Sequence, residues 1–578
     1  MINLKINNVP VSVEPGTTIL EAARSIGIKI PTLCYLKDIN AIGACRICVV
    51  EVKGARNLVA SCVYPVNEGM EVFTNSERVL KARKTTLELI LSNHRKDCLS
   101  CDRNTNCELQ TLAYEYGCDA SAYVGAMCND PQDSSTNYLI RDNTKCILCR
   151  RCIAMCKKVQ KIGVIGASER GFATHIGCAF DMDLANTPCI GCGQCVTVCP
   201  TGALREKTEI DKVKEALSDG SKYVVVGSAP SVRTAIAEEF GNPVGTNGEG
   251  KMITALRLCG FKKVFDVNSA ADFTIMEEAN ELLGRIVNGG ALPMFTSCCP
   301  GWVNHLEMNY PDLIPNLSTC KSPQNMFGAL VKNVFAKKEG VDPKDIYVVS
   351  VMPCTGKKGE KLRTYTNGVV DVDAVLTTRE LARLIKNNGV DFNSLNDGEL
   401  DSPFGEYTGA GLIFGATGGV MEAALRTAAV KLGGSKKAPL EFTEVRGLDG
   451  VKSAEYDING TKVKVAVVNG IGNVNELCKL VQQGKADYHF IEVMTCPGGC
   501  VNGGGQPING DYNHNKADVI AKRSAVLYNG DKASKHRRSH DNESVLEVYR
   551  DYLGEPNSHE AHEILHTHYN AHPRYTKE

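Results

Sequence analysis

The 578-residue chain has a single tryptophan and only 6% aromatic residues, too few to build stacking platforms for nucleobases. Its 65 lysines and arginines nearly cancel its 66 aspartates and glutamates, leaving a formal net charge of -1. No global field therefore draws it to nucleic acid or to an anionic membrane surface. It lacks any run of about 18 apolar residues, so no segment is expected to span a membrane. The opening Met1-Ile2-Asn3-Leu4-Lys5-Ile6 lacks the basic and apolar regions of a secretory signal, which points to the cytoplasm. The remainder, 43% hydrophobic and 23% charged, is ordinary globular composition, and the length predicts about four domains.

The abundance lies in cysteine. There are 26, below the density of a small disulfide scaffold, and they sit in groups at metal-ligand spacing. Metal-bound thiolates in a reducing compartment are the consistent reading.

Residues 2–6 and 9–13 alternate apolar and polar around Asn7-Asn8, which predicts a β-hairpin. Thr18 with Glu21 three residues later is a capping-box signature for a helix through about Ile26. Cys34, Cys45, Cys48 and Cys62 follow as C-x10-C-x2-C-x13-C. A long loop and a strand can close four such thiolates around a small cluster, although zinc also accepts four thiolates. The spacing resembles the plant-type [2Fe–2S] ferredoxin fold, a β-grasp, with its first interval lengthened. A helix over about 76–92 then leads to His94, Cys98, Cys101 and Cys107, one imidazole and three thiolates within 14 residues. A lone histidine in a loop is ordinary, but one placed before three spaced cysteines is a ligand candidate. Iron and zinc both suit this set, and its neighbours favour iron.

Cys146-x2-Cys149-x2-Cys152-x3-Cys156 is repeated as Cys189-x2-Cys192-x2-Cys195-x3-Cys199-Pro200. This is the two-cluster bacterial ferredoxin pattern, in which the fourth cysteine of each run serves the cluster of the other. Cys146, Cys149, Cys152 and Cys199 are therefore expected to hold one [4Fe–4S] cluster, and Cys156, Cys189, Cys192 and Cys195 a second. Lys157 departs from the pattern, which has proline after the first run. Up to about residue 208 the chain reads as one-electron carriers in series, which need a source or consumer of electrons at the end.

From residue 209 the composition changes. Short apolar runs at 223–227, 346–351 and 463–468 alternate with helical patterns, notably 272–287 and 378–387. Such alternation predicts an α/β domain with largely parallel sheets, whose strand ends carry ligands. Three loops at apparent strand ends are unusual. They are Thr296-Ser297-Cys298-Cys299-Pro300-Gly301-Trp302, Met352-Pro353-Cys354-Thr355-Gly356-Lys357-Lys358-Gly359-Glu360, and Met494-Thr495-Cys496-Pro497-Gly498-Gly499-Cys500. In the last, proline fixes φ while its glycines and Gly503-Gly504-Gly505 let backbone approach a bulky inorganic group.

These loops, with the cluster modules before them, closely resemble monomeric [FeFe]-hydrogenases of the clostridial type over essentially the whole chain. The tail Tyr552-Leu553-Gly554-Glu555-Pro556-Asn557-Ser558-His559 looks like the small-subunit segment fused in such enzymes. The resemblance implies four domains: a plant-type ferredoxin at 1–78, a [4Fe–4S] domain with one histidine and three cysteine ligands at 79–125, a bacterial-type ferredoxin at 126–208 and a catalytic domain with its tail at 209–578. It implies one [2Fe–2S] cluster, three accessory [4Fe–4S] clusters and an H-cluster, a cube joined to a diiron unit bearing CO, cyanide and an azadithiolate. By motif position, Cys299, Cys354, Cys496 and Cys500 would ligate the cube, with Cys500 shared with the diiron unit. Cys298 would be a free thiol carrying protons, followed by Glu278, Ser318, Glu281 and Arg285. Helical spacing puts Glu278, Glu281 and Arg285 on one face, where a solvated ion-paired surface is the plain alternative. Lys357 would donate to one cyanide with Glu360 orienting it, and Ser231, beside Ala229 and Pro230, to the other. Met352, Met494 and Gln324 would line the diiron pocket, although methionines are commonly core.

The implied reaction is the reversible reduction of protons to H2 with electrons from ferredoxin or flavodoxin, in a monomer built with hydrogenase maturation proteins. Two readings from other classes stand beside it: a hydrogen sensor, and an iron–sulfur transfer or assembly protein without the diiron unit. Cys118, Cys128, Cys178, Cys259, Cys320 and Cys478 are left over and are expected to be buried inert thiols. His559, His562, His566, His568 and His572 have no cysteine or carboxylate cluster beside them in sequence, so helical packing is expected of the tail.

Overall fold

The computed structural model describes every residue except 364, 434–438, 459, 509–515 and 577–578. β1 (Ile2–Ile6) and β2 (Val9–Val13) form the expected hairpin, with Asn7 and Asn8 at positive φ in the turn. α1 (Ile19–Ser25) buries Ile19, Leu20, Ala22 and Ala23 in a core shared with Leu4 and Ile6 of β1. β3 (Val49–Val52), β4 (Val59–Ala60) and β5 (Glu71–Phe73) complete a sheet of order β2-β1-β5-β3-β4, in which only β1 and β5 pair in parallel. The capping box of α1 is only half formed: Thr18 accepts from the Glu21 N–H at 3.3 Å. The Glu21 carboxylate turns instead to Arg24 and the Tyr35 hydroxyl, both at 2.9 Å, because a charged partner outcompetes a backbone N–H.

α2 (Glu77–Ser92), capped by the Ser76 hydroxyl, delivers the chain to the His94 loop. The two cysteine runs then fold as loops ending in short helices, Arg151–Ala154 and Gln194–Thr197. An antiparallel pair, Leu139–Arg141 with Leu204–Glu206, brackets them.

The remaining chain builds two mainly parallel four-stranded sheets. β6 (Tyr223–Ser228), β7 (Lys263–Asp266), β9 (Ile346–Met352) and β10 (Ala374–Thr377) lie in the order β7-β6-β9-β10, all parallel. Their apolar runs are covered on both faces, as parallel strands require. β8 (Met294–Phe295), β11 (Val451–Ile458), β12 (Thr461–Asn469) and β13 (Phe490–Met494) lie as β8-β13-β12-β11, with only the β11–β12 hairpin antiparallel.

α3 (Val267–Asn288) starts where the Asp266 carboxylate accepts from the Asn268 N–H at 2.8 Å, and stops at Gly289, whose φ is 78°. It starts five residues before the amphipathic pattern because its first turns are buried on all sides and show no polar face. Burial is continuous through Ala279 and takes in Asp272, Glu277 and Glu278. Charged groups are costly inside unless partnered, so this helix carries more than packing. α4 (His559–Leu565) belongs to the tail and packs Ala561 and Leu565 into the same core as β6 and β9.

Four of the leftover cysteines, Cys178, Cys259, Cys320 and Cys478, are buried as expected. Cys118 and Cys128 are not; they are half-exposed, on a stretch around 118–130 with little apolar cover, and Cys128 Sγ lies 3.1 Å from Asp130. Among the described residues no helix is long and apolar enough to cross a membrane.

Candidate metal centres and active site

The first four spaced cysteines converge. Cys48 Sγ lies 3.3 Å from Cys62 Sγ, and Cys34 shares thiol hydrogen bonds with Cys45 and Cys62. In the next domain His94 is buried with its Nδ1 unpartnered. Burial, helped by the charge of Lys145, lowers its pKa to about 4, so the ring is neutral and fit to ligate. Its partner cysteines reach toward the second ferredoxin run: Cys107 Sγ lies 3.6 Å from the Pro200 carbonyl. A Cβ on Gly202 would come within 2.6 Å of Cys101 Sγ.

The two repeats cross over. One cavity of about 380 Å³ is lined by Cys146, Cys149, Cys152 and Cys199, and another of about 360 Å³ by Cys156, Cys189, Cys192 and Cys195. Each thus takes three cysteines from one run and the fourth from the other. Asn40 donates to the Cys34 carbonyl at 2.8 Å and to the Cys149 carbonyl at 3.2 Å. The Cys34 group and the His94 group therefore both abut the first cavity. The arrangement is a fork that joins, where sequence order suggests a line.

The second cavity shares Cys192 with a larger one of about 880 Å³. Cys298, Cys299, Cys354, Cys496 and Cys500 all face this space, from loops after β8, β9 and β13. Ala229, Pro230 and Ser231 face it from the end of β6. All four strands point their C-terminal ends at one crevice, where open α/β sheets bind ligands. Backbone packs hard around the thiols. A Cβ on Gly503 would fall 2.1 Å from the Pro353 carbonyl, and one on Gly504 would fall 2.3 Å from that of Cys192. Thr355 Oγ1 donates to the Gly191 carbonyl at 2.6 Å and Gln194 to the Asn502 carbonyl at 2.8 Å, tying the ferredoxin run to this wall.

Burial raises the thiol pKa of Cys354 to about 11, and raises those of Cys496 and Cys500 well above the usual value. Such a thiol set stays protonated unless a cationic group compensates it. Lys357 is the cation at the wall. Burial opposes its charge, but the pair with Glu360, 2.7 Å away, outweighs that and leaves its pKa raised. Its Nζ also donates to the Cys298 carbonyl at 2.9 Å, and Ser322 fixes Glu360 at 2.8 Å. Gln324 donates to the Lys357 carbonyl at 3.2 Å and leaves its own Oε1 unpartnered. Met352 and Met494 complete the apolar lining. Crowded thiols, one lysine and a close glycine cradle fit a bulky anionic metal cluster.

A line of polar groups leaves this cavity. The Cys298 thiol is raised well above its usual pKa by burial and by Glu278. Glu278 is 1% exposed and neither oxygen makes a well-formed hydrogen bond, although Ser318 and the Ser297 backbone lie near enough to favour its anion. Burial and Glu281 prevail, pushing its pKa up to about 8. Ser318 Oγ donates to Glu281 at 2.8 Å, and Arg285 Nη2 donates to Glu281 at 2.6 Å near the surface. The Glu281–Arg285 pair is largely enclosed, at 12% side-chain exposure each, so the freely solvated face allowed by the spacing is not what forms.

Sequence reasoning missed several wall residues. Thr495 hydrogen-bonds Cys299 Sγ at 3.1 Å, and its place between Met494 and Cys496 was the available signal. Pro323 and Phe414 also line the cavity, and nothing in their local sequence announces it.

Sheet topology, thiol-lined cavities in contact and a terminal cavity with its own polar exit define an iron–sulfur oxidoreductase. The family described as iron only hydrogenase large subunit, C-terminal domain, matches residues 222–504, and the iron hydrogenase small subunit matches 517–572. A 2Fe-2S iron-sulfur cluster binding domain matches 1–77, the NADH-ubiquinone oxidoreductase-G iron-sulfur binding region 83–122, and a 4Fe-4S dicluster domain 145–203. The chain is 48% identical to the NADP-reducing hydrogenase subunit HndD of Solidesulfovibrio fructosivorans, over 98% of this chain and 99% of that one. It is 44% identical to iron hydrogenase 1 of Clostridium pasteurianum, over 98% and 100%. The solved apo [FeFe]-hydrogenase HydA1 of Chlamydomonas reinhardtii superposes with a TM-score of 0.57 at 42% identity, covering 64% of this chain and 100% of that one. The chain belongs to the iron-only, or [FeFe], hydrogenase family, and it is a hydrogenase with [2Fe–2S]- and [4Fe–4S]-type domains.

Proposed function

We propose that Cys299, Cys354, Cys496 and Cys500 hold the cube of an H-cluster, with Cys500 shared with its diiron unit. One observation carries this: these thiols, Cys298 and Lys357 converge from separate strand-end loops on a single cavity. When bound, the diiron unit supplies the metal position and pendant base at which 2H⁺ + 2e⁻ ⇌ H2 takes place. Lys357, oriented by Glu360, would meet anionic diatomic ligands with a fixed charge at the buried wall. Ser231 lines the same cavity from the end of β6, while Ala229, Pro230, Gln324, Met352 and Met494 shape the pocket and exclude water.

Cys298 Sγ holds the proton at the cavity and passes it to Glu278, whose pKa near 8 lets it both take and release a proton close to neutrality. Ser318 and Glu281 carry it on to Arg285. Cys34, Cys45, Cys48 and Cys62 would hold one [2Fe–2S] cluster, and His94, Cys98, Cys101 and Cys107 one [4Fe–4S] cluster, either of which would give electrons an entry. The two ferredoxin-type [4Fe–4S] sites would carry electrons on to the catalytic cavity, and the shared Cys192 wall supports that order. The proposed units are a β-grasp ferredoxin at 1–78, the histidine-and-three-cysteine cluster domain at 79–125, a 2[4Fe–4S] ferredoxin at 126–208 and a catalytic domain at 209–578.

Infrared spectroscopy of the matured protein tests the assignment. CO and cyanide stretching bands are expected, and a fully cluster-loaded protein with neither would make it an iron–sulfur transfer protein. A soluble ferredoxin or flavodoxin is the proposed electron partner of a cytoplasmic monomer loaded by maturation proteins. The 48% relative named as an NADP-reducing subunit favours a second reading, an assembly in which another chain handles NADP. Reduction kinetics with ferredoxin and with NADPH, alone and with cell extract, separate the two.

A further inference from the structure

Cys320 and the tail histidines have no part in the reading above, yet the fold brings them to the proton line. After α4 the chain runs back beside the strand-like segment at Cys320, forming an antiparallel bridge between Cys320 and His566. Lys321 N–H donates to the Leu565 carbonyl and Thr567 N–H to that of Thr319, each at 2.8 Å. His566 is thereby held in the interior. One ring nitrogen lies 2.7 Å from Thr319 Oγ1 and the other 3.0 Å from a Glu277 oxygen. Cys320 Sγ lies 3.8 Å from a Glu281 oxygen.

One donor atom from each of Glu281, Cys320 and His566 falls within 4.8 Å of the other two. Ligands around tetrahedral zinc stand roughly 3.3–3.7 Å apart, so closure needs side-chain movements of about an ångström. Glu277, already bonded to His566 at 3.0 Å, can supply a fourth donor. Burial raises the pKa of the Cys320 thiol, and Glu281, Glu278 and Glu277 add to the rise. Arg285 is paired with Glu281, and Tyr549 donates to Glu277. A dication would draw the Glu281 and Glu277 carboxylates together and displace the thiol proton.

We propose that Glu281, Cys320 and His566, with Glu277, form a site for a thiophilic divalent cation of the zinc class. Thiolate, imidazole and carboxylate oxygen together are a zinc-type donor set. An ion there would withdraw Glu281 from Ser318 and Arg285; this consequence rests on the relay proposed for Glu281.

The test uses full-length, cluster-loaded enzyme titrated with Zn²⁺ in a calorimeter, with zinc-edge X-ray absorption on the complex. A single tight equivalent is expected, with one sulfur and two or three nitrogen or oxygen neighbours. Cys320→Ser and His566→Asn should each weaken it by on the order of 10–100-fold, the scale seen when even outer partners are lost. Iron content and infrared bands equal to those of the unaltered enzyme show that the variants are folded and loaded. Unchanged affinity in both variants overturns the site, as does a zinc shell with no sulfur or with several. Hydrogen evolution should fall on zinc binding and return with chelator. Zinc bound in the expected shell with full turnover would uphold the site and overturn the relay through Glu281.

Discussion

Replacing Glu278 by glutamine isolates the proton step from everything else at the cavity. The side chain is enclosed, and its pKa stands at about 8 against an ordinary 4.5, chiefly through burial and then Glu281. At 1.36 kcal/mol per unit, ionising it in place costs on the order of 5 kcal/mol more than in water. At pH 7 roughly nine in ten of these carboxyls carry the proton. Glutamine keeps the volume and neutral charge of that form but cannot release a proton. Hydrogen evolution with a small-molecule reductant should therefore drop by about 10²–10⁴-fold, the span of general acid–base contributions. Infrared bands and cluster content should be those of the parent enzyme. The stability signature is separate. The folded pKa lies above the unfolded one, so the native state binds more protons between about pH 4.5 and 8, and stability declines as pH rises through that window. Glu278→Gln removes this term, and its stability relative to the parent should grow by a few kcal/mol from pH 5 to 8. A variant that evolves hydrogen within threefold of the parent, or whose relative stability is flat with pH, would refute the reasoning.

Other perturbations separate the remaining parts. Cys500→Ala should abolish hydrogen chemistry while the accessory clusters stay reducible, read by electron paramagnetic resonance; loss of every signal would count against its local role. Cys298→Ala should keep the infrared bands and lose hydrogen evolution, and full activity would remove it from the proton line. Glu360→Gln leaves Lys357 buried without its 2.7 Å partner, a change worth about 3–5 kcal/mol. Lowered thermal stability and shifted cyanide bands are expected there. Gly504→Ala drives a Cβ to 2.3 Å from the Cys192 carbonyl, so the ferredoxin run must shift off the cavity wall. Electron delivery through the clusters should slow, and unaltered kinetics would show that this wall can give.

Much of the site was legible because its chemistry leaves local marks. Thiolate ligands recur at short fixed spacings, so the cavity cysteines of the strand-end loops, Cys298, Cys299, Cys354, Cys496 and Cys500, could be singled out from their own loops. The strand runs at 223–227, 346–351 and 463–468 and the helix at 378–387 were equally clear, since burial on both faces and amphipathic periodicity act over a few residues. The half-formed cap at Glu21 was not legible, because Tyr35 comes from 14 residues away.

The sequence alone determined which atoms are present for redox chemistry and in what groups, down to the exchange of Cys156 and Cys199 between the two ferredoxin runs. Only the tertiary structure decided how the groups meet. It makes the two N-terminal sites a fork, through Asn40 and Pro200, because those contacts join segments about a hundred residues apart. It converts Glu281–Arg285 from a solvated helix face into an enclosed pair, because Ser318 engages Glu281 and the Ala291, Pro315 and Leu317 carbonyls engage Arg285. It also sets His566 beside Glu277, Glu281 and Cys320, a thiol and carboxylates delivered by elements far from the tail in sequence. Spacing records ligands that one loop must deliver together; packing alone assembles those that arrive from opposite ends of the chain.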